Sequence, residues 1–304
     1  MFDGFDTLDV EVDDGRGQPL TIHGVTRGEG PPVLLLHGYP QTHAIWHEIA
    51  PELARDHTVV ATDLRGYGDS GRPVSDQEHS PYAFRAMAAD QVAVMRALGH
   101  DRFAVVGHDR GARVTHRMAL DHPDQVARLA LLDILPTAHV YGTVDQTVAT
   151  AYFHWFFLVQ AEDLPERLIA ADPLYFLHRL LAGFGGSLDI FHPEALARYE
   201  RAFADPDVRH AMIEDYRAGA SIDLRHDAES AAEGRAITAR TLVLWGGKGL
   251  VGARPGENPL DVWRSRASKD SLVTGRGLPG VGHYLPEEGT EQVLAELRTF
   301  LAEP

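Results

Sequence analysis

The stretch that decides the reading of this chain is Phe103-Ala104-Val105-Val106-Gly107-His108-Asp109-Arg110-Gly111-Ala112-Arg113. Its first four residues are a short, valine-rich apolar run that reads as a buried strand. The run breaks at Gly107, passes through His108-Asp109-Arg110 to Gly111, and gives way to a helical stretch over roughly Ala112 to Asp121. Strand, G-x-nucleophile-x-G, helix is the pattern of a nucleophile elbow, a strained turn that lifts one side chain above the edge of a sheet. The glycines leave room for the tight backbone. The lifted residue is Asp109, where an esterase would carry serine. A carboxylate is ionised at neutral pH and needs no base to activate it. It can attack a saturated carbon, expel a leaving group and become an alkyl ester. Taken alone, the pentapeptide is equally a strand-to-helix turn with Asp109 as N-cap, so the rest of the chain must decide.

At 304 residues and 44% apolar, the chain can bury a large α/β domain with an insertion, or two modest domains. The net charge of −16 argues against nucleic acid and anionic membrane as partners. With no cysteine, disulfides, thiolate metal sites and a Cys nucleophile are excluded. The start, Met-Phe-Asp-Gly-Phe-Asp, lacks the basic and apolar regions of a signal peptide, and no apolar run approaches membrane-spanning length. The expectation is a soluble, cytoplasmic protein.

Leu8–Val12 and Leu20–Val25 alternate around a turn-rich Asp-Asp-Gly-Arg-Gly and read as a hairpin. Strands follow at Val33–Leu36, Thr58–Leu64, the elbow run and Leu129–Leu135, with helices between them near Trp46–Arg55 and from Ser80-Pro81 to about Leu98. Alternation resumes with a strand at Thr241–Trp245, a helix near Leu260–Ala267, a strand near Ser271–Thr274, a Gly-rich turn and a closing helix from about Glu288. The pattern predicts an α/β fold, a mostly parallel sheet with helices on both faces. Residues 137–226 are helical in pattern and dense in aromatics, which predicts a helical cap inserted into a core of residues 1–136 and 227–304.

An ester on Asp109 must be hydrolysed, which calls for a general base acting on water. Of seventeen histidines, His283 is the candidate: Gly280-Val281-Gly282-His283-Tyr284 lies after the last strand, at the carboxyl edge where catalytic groups gather. That base needs a carboxylate to hold its tautomer. The strand at Thr241–Trp245 offers no acid nearer than Glu257, whereas Asp133 is stranded in Leu131-Leu132-Asp133-Ile134-Leu135 and needs a partner. The ester oxyanion needs two backbone N–H donors, which Arg110 and Tyr39 are placed to give. His37 and His108 read as structural.

These segments resemble the haloacetate (fluoroacetate) dehalogenase family of the α/β-hydrolase fold over essentially the whole chain. The carrying residues are His37-Gly38-Tyr39-Pro40-Gln41-Thr42-His43, Gly107 to Arg113, Leu132-Asp133-Ile134-Leu135-Pro136, His154-Trp155, Glu214-Asp215-Tyr216-Arg217 and Gly282-His283. The resemblance implies that Arg110 and Arg113 grip a substrate carboxylate, which suits the planar fork of a guanidinium. It further implies a halide pocket of His154, Trp155 and Tyr216, a homodimer, a small anionic haloacid as substrate, and no cofactor or metal. The family often has Phe where Tyr39 stands, a change that leaves the backbone donor in place. The expected activity is hydrolysis of small 2-haloacids through an aspartyl ester.

The nearest rival is an epoxide hydrolase, which uses the same Asp-His-Asp chemistry with cap tyrosines; Tyr141, Tyr152 and Tyr175 keep it open. A haloalkane dehalogenase would carry Trp after the nucleophile. A non-catalytic receptor on the same scaffold would have no reason to keep an Asp109–His283 pair. Gly66-Tyr67-Gly68-Asp69-Ser70-Gly71 spells a dinucleotide fingerprint, but Arg72-Pro73 stands where its helix should begin. His43 and His47 have metal-ligand spacing without an evident third ligand.

Overall fold

The computed structural model describes residues 1–161, 163–253 and 256–302. Strands β1 (Asp6–Asp13), β2 (Pro19–Arg27), β3 (Pro32–Leu36), β4 (Thr58–Thr62), β5 (Phe103–His108), β6 (Val126–Leu132), β7 (Arg240–Gly246) and β8 (Val273–Leu278) form one sheet. Their order is β1-β2-β4-β3-β5-β6-β7-β8. The hairpin β1–β2 and the β2–β4 pair are antiparallel, and every other neighbouring pair is parallel.

The apolar runs of β3, β5 and β6 are continuous because both faces of the sheet are covered. Successive side chains take opposite sides. Leu34, Leu36, Val105, Leu129 and Leu131 enter one core, while Val33, Leu35, Ala104, Val106, Ala130 and Leu132 enter the other. Three helices lie between the early strands: α1 (Ile49–Leu53), α2 (Phe84–Ala97) and α3 (Arg110–Asp121). Between β6 and β7 come α4 (Thr137–Gly142), α5 (Gln146–Ala151), α6 (Phe153–Leu158), α7 (Leu164–Ala170), α8 (Pro173–Gly185), α9 (Pro193–Ala204), α10 (Pro206–Gly219) and α11 (Ile222–Ala232). The chain closes with α12 (Leu250–Ala253), α13 (Pro259–Arg264), α14 (Leu285–Glu288) and α15 (Thr290–Ala302). Met87, Val92, Val114 and Met118 of α2 and α3 fill the first core, and Ile49, Leu53, Val293 and Leu297 of α1 and α15 fill the second. Among the described residues no helix is long and apolar enough to cross a membrane.

Three local expectations need correction. Ser80-Pro81 does not start α2: it forms a separate 3-10 turn, the chain extends at Ala83, and the helix begins at Phe84. The cap is supplied from α11, where Asp223 Oδ1 accepts the Phe84 N–H at 3.0 Å. A cap borrowed from so far along the chain leaves no local signal. Strand β6 ends at Leu132, short of Leu135, because the chain turns at Asp133 with φ +53°. Strand β8 runs through Gly275 and Gly277, which read as a turn. A Cβ on Gly275 would lie 1.8 Å from the Val243 carbonyl, so this glycine marks close strand approach. The glycine-rich 66–71 segment is a loop after β4 with no helix following, as its Arg-Pro suggested.

Candidate active site

Parallel register sets the ends of the central strands level: Leu36 of β3 and Leu131 of β6 both lie opposite Gly107, and Leu132 lies opposite Leu244 of β7. The residues that follow each strand therefore meet along one edge. Tyr39 follows β3, Asp109 follows β5, Asp133 follows β6, and His283 follows β8. Asp109 sits at φ +47° and ψ −117°, a strained conformation for a residue with a side chain. The close passage that holds it there tolerates no larger residue at Gly111, where a Cβ would fall 2.3 Å from the His37 carbonyl oxygen.

The Tyr39 backbone N–H donates to Asp109 Oδ1 at 2.9 Å. Arg110 is the first residue of α3, so its own N–H has no acceptor within the helix. Asp109 Oδ2 lies 3.9 Å from His283 Nε2, and His283 Nδ1 lies 2.7 Å from Asp133 Oδ2. The other Asp133 oxygen accepts the Gly246 N–H at 2.8 Å, which locks the carboxylate. His108, read as structural, places Nε2 2.8 Å from the His283 carbonyl and so braces the histidine turn.

Burial works against charge at every one of these groups, and the neighbours decide the outcome. For Asp109, burial is outweighed by His283 first, with Arg113 and Arg110 adding to it, and the carboxyl is held at about 2. For His283, burial is outweighed by the Asp133 hydrogen bond and charge, so its pKa is raised. At His154 and His108 burial outweighs the support of the Asp109 charge and pushes both down to about 3, so they are neutral at physiological pH.

Helices of the insertion roof this edge. Asp109, Asp133, His283, Tyr39 and Arg113 share one cavity with Tyr152, His154, Trp155, Leu180, Phe184 and Tyr216. It measures about 20 Å³, room for one or two water-sized groups. The Tyr216 ring meets His154 edge-on at 5.6 Å and Trp155 at 6.3 Å, so the expected halide trio is assembled on one wall.

The two arginines part company. The Arg110 guanidinium does not line the cavity. Its Nε donates to Asp215 Oδ2 at 2.8 Å, Nη2 donates to the Asp215 carbonyl at 2.7 Å, and Nη2 also pairs with Oδ1. Tyr67 donates to the same carboxylate at 2.7 Å, and the cation is stacked between Phe84 and Tyr216 at 4.7 and 4.3 Å. A bidentate carboxylate matches the guanidinium fork and takes the side chain away from the pocket. Arg113 is equally buried, yet among the described residues no carboxylate lies within ion-pair distance of it. Its Nη1 donates to the Leu135 carbonyl at 3.0 Å and Thr137 Oγ1 at 2.9 Å, its Nε is buried without a partner, and it lies 4.6 Å from the Trp155 ring centre.

Of the three tyrosines that kept the epoxide reading open, Tyr152 lines the cavity, Tyr141 packs behind it on Trp155 at 5.3 Å, and Tyr175 is 64% exposed. His43 and His47 do not form a site together: His43 Nδ1 lies 2.8 Å from Asp63, and His47 Nδ1 bonds the Ala44 carbonyl. His23, His43 and Asp63 do place one ligand atom each within 4.8 Å. Those donors are already spent, since Asp63 accepts the His43 and Asp69 backbone N–H groups and Arg198 faces His43 Nε2 at 3.5 Å.

Sequence reasoning passed over Asp215, which it quoted only inside Glu214-Asp215-Tyr216-Arg217, and it passed over Leu180 and Phe184. The need of Asp215 for a cation is visible only in the fold, where its neighbours on α10 are all buried. Leu180 and Phe184 stand four apart on α8, one face of a helix.

An elbow carboxylate after the central strand, a histidine after the last strand and an inserted helical roof are the marks of one class. Residues 31–289 match the model of the alpha/beta hydrolase fold family, and the chain belongs to it. The chain is 44% identical to a fluoroacetate dehalogenase of Burkholderia sp., over all of its own length and 96% of that protein's. It is 33% identical to a soluble epoxide hydrolase of Corynebacterium sp. (strain C12), over 92% of this chain and 93% of that one. A solved structure from Nostoc sp. PCC 7120, described only as an alpha/beta hydrolase, is 52% identical, with a TM-score of 0.94 over the whole of both chains. Within the hydrolase fold the chain belongs to the fluoroacetate dehalogenase family.

Proposed function

We propose that the chain is a hydrolytic dehalogenase of small 2-haloacids, converting fluoroacetate or another haloacetate to glycolate and halide through an ester on Asp109. The observation that carries this reading is Arg113: a buried guanidinium with no carboxylate within ion-pair distance among the described residues, on the wall of a small cavity that also holds Asp109. A buried cation offset only by the charge of Asp109 beyond ion-pair distance is costly, and an anionic substrate would supply a direct partner.

The geometry supports the following steps. Substrate carboxylate rests on Arg113, with the α-carbon toward Asp109. Asp109 Oδ1 is held by the Tyr39 N–H, which leaves Oδ2 to attack. The carbon–halogen bond breaks as the carbon–oxygen bond forms, and the halide departs toward His154, Trp155 and Tyr216. Donors that tighten on the developing anion lower this barrier. His283, oriented by Asp133, then takes a proton from a water that attacks the ester carbonyl, and the oxyanion falls to the N–H groups of Tyr39 and Arg110. Esterification also removes the Asp109 charge, one of the influences that raise the His283 pKa. The covalent intermediate thus makes its own base more available. The Arg110 side chain, implied by the resemblance as a second carboxylate contact, is committed to Asp215 and serves in this reading to position α10 and Tyr216.

Tyr152 and Tyr216 in the cavity support a second reading, epoxide hydrolysis, in which two tyrosines donate to the ring oxygen. Halide release from fluoroacetate and chloroacetate, measured beside consumption of a small epoxide, separates the two. Halide without epoxide turnover supports the haloacid reading; epoxide turnover without halide overturns it.

A further inference from the structure

Glu287 stands on α14, in the segment just after His283, and the proposed reaction makes no use of it. Its carboxyl joins three parts of the molecule. From the loop after β3, Gln41 Nε2 donates to Oε2 at 2.5 Å. From α9, the Tyr199 hydroxyl donates to Oε1 at 3.0 Å. Its own N–H bonds the Tyr284 carbonyl at 2.9 Å, closing the turn that carries His283. Gln41 and Tyr199 are fully buried, and the Gln41 N–H closes on Gly38 at 2.9 Å, so Gln41 is part of the turn whose Tyr39 N–H reaches Asp109.

We propose that Glu287 is a positioning residue: its carboxyl ties α9 and the Tyr39 turn to the turn of His283, fixing the spacing between the N–H that holds Asp109 and the imidazole that serves it. The inference rests on the reading of Asp109 and His283 as the reacting pair.

The surroundings favour the neutral acid. Among the described residues no cation lies within ion-pair distance of Glu287. Facing it are Tyr199 from α9, Gln41 from the loop after β3, Glu48 from the segment before α1, Glu288 from its own helix and Tyr284 from the histidine turn. Of the elements packed on α14, α15 opens with another acid, Glu291, and the 3-10 turn at His43–Trp46 offers only His43, which is taken by Asp63. Burial, helped by Glu48 and Glu288, outweighs the Tyr199 and Gln41 hydrogen bonds, which favour the charged form, and lifts the carboxyl to about 8. The Gln41 Oε1 is a buried acceptor without a donor, and a turned-over amide would present it to a Glu287 hydroxyl. Ionisation would place a charge with no cation beside it in this enclosure and draw water toward it, which disturbs the spacing the tie sets.

The sign follows. A base such as His283 must be neutral to act, so it produces the acid limb of a pH profile; Glu287 must be protonated, so it produces an alkaline limb. The neighbouring Tyr199, Tyr216 and Tyr284 are held well above their ordinary range and do not titrate there. In the wild type, kcat falls reversibly as pH rises through about 8, and Glu287→Gln, which keeps both hydrogen bonds without the ionisable group, stays flat. Glu287→Leu loses about tenfold in kcat with KM little changed, the worth of one good hydrogen bond. A second readout needs no substrate: the infrared band of a protonated carboxyl, present in the wild type near neutral pH, fades through the same range and is missing from Glu287→Gln. Identical alkaline limbs in wild type and Glu287→Gln, an unchanged kcat in Glu287→Leu, or the absence of that band each overturns the proposal. A wild type that turns over no haloacid counts against the dehalogenase reading alone, and the infrared comparison still supports or overturns the neutral Glu287.

Discussion

Replacing Arg113 by methionine removes a buried cation that has no carboxylate partner among the described residues, whereas the same change at Arg110 removes one locked to Asp215. Arg110→Met leaves the Asp215 carboxylate, among the described residues, with the Tyr67 hydroxyl alone. Breaking a buried pair from one side costs roughly 3–5 kcal/mol. Arg113→Met forfeits hydrogen bonds to the Leu135 carbonyl and Thr137 Oγ1, at about 1 kcal/mol each. It also loses the contact over Trp155, worth about 1–2 kcal/mol. Against those losses stands the desolvation cost of an ion that only the more distant Asp109 charge offsets, several kcal/mol, which the substitution removes. The folded state should therefore hardly notice Arg113→Met, while the binding of an anionic substrate loses a charged hydrogen bond worth roughly 1.5–3 kcal/mol, or a ten- to hundredfold rise in KM. Thermal unfolding of both variants beside steady-state kinetics on chloroacetate reads the two effects separately. Should Arg113→Met unfold many degrees earlier while KM stays put, the assignment of this guanidinium to the substrate is refuted.

Three further outcomes follow from the same geometry. His283→Gln should form the ester but not hydrolyse it, so intact-protein mass spectrometry after exposure to haloacetate should show a covalent adduct that Asp109→Ala lacks; no adduct on His283→Gln would sink the covalent scheme. Because Asp133 raises the His283 pKa above its ordinary value, kcat should fall as pH drops through a point above about 6.5, and Asp133→Asn should move that limb lower; a limb that stays in place means His283 is not the base. Gly111→Ala would put a Cβ 2.3 Å from the His37 carbonyl, and both partners are backbone, so the elbow must open; expression as a fully active, equally stable protein would show that the close approach is not required.

Much of this was legible in the residues, for a physical reason in each case. The parallel core could be read because β3, β5 and β6 are buried on both faces and so carry unbroken aliphatic runs. The pairing of His283 with Asp133 could be read because an acid inside an apolar run must find a partner, and it is found at 2.7 Å. The start of α2 was misread because its cap, Asp223, comes from a distant helix. The fate of Arg110 was misread for a similar reason. Spacing on a helix places Arg110 and Arg113 near each other, but it says nothing about a carboxylate arriving from α10. Glu287 was invisible as well, since its neighbours Gln41 and Tyr199 are close only in the folded chain.

The division of labour between the arginines bears on an electrostatic problem that any haloacid hydrolase by an aspartate must meet. In the proposed reaction nucleophile and substrate are both anions, and in a cavity this small their repulsion is poorly screened. In that reaction Arg113 offsets it by attracting the substrate carboxylate, and burial weakens its hold on charge rather than strengthening it. Two free cations would do more harm than good, because a second guanidinium released from its partner could settle on Asp109 itself and make it a weaker nucleophile. Asp215 prevents this by occupying the Arg110 fork from the far side, while Tyr67 donates to the same carboxylate. The pair also joins α10 to the elbow, so the residue that neutralises Arg110 is adjacent to Tyr216 on the cavity wall. Asp215→Asn should accordingly damage the chemical step more than substrate binding, since it frees a cation next to the nucleophile without removing Arg113. A variant whose KM rises while kcat is preserved would mean that Arg110 is held for the substrate and not kept from the carboxylate.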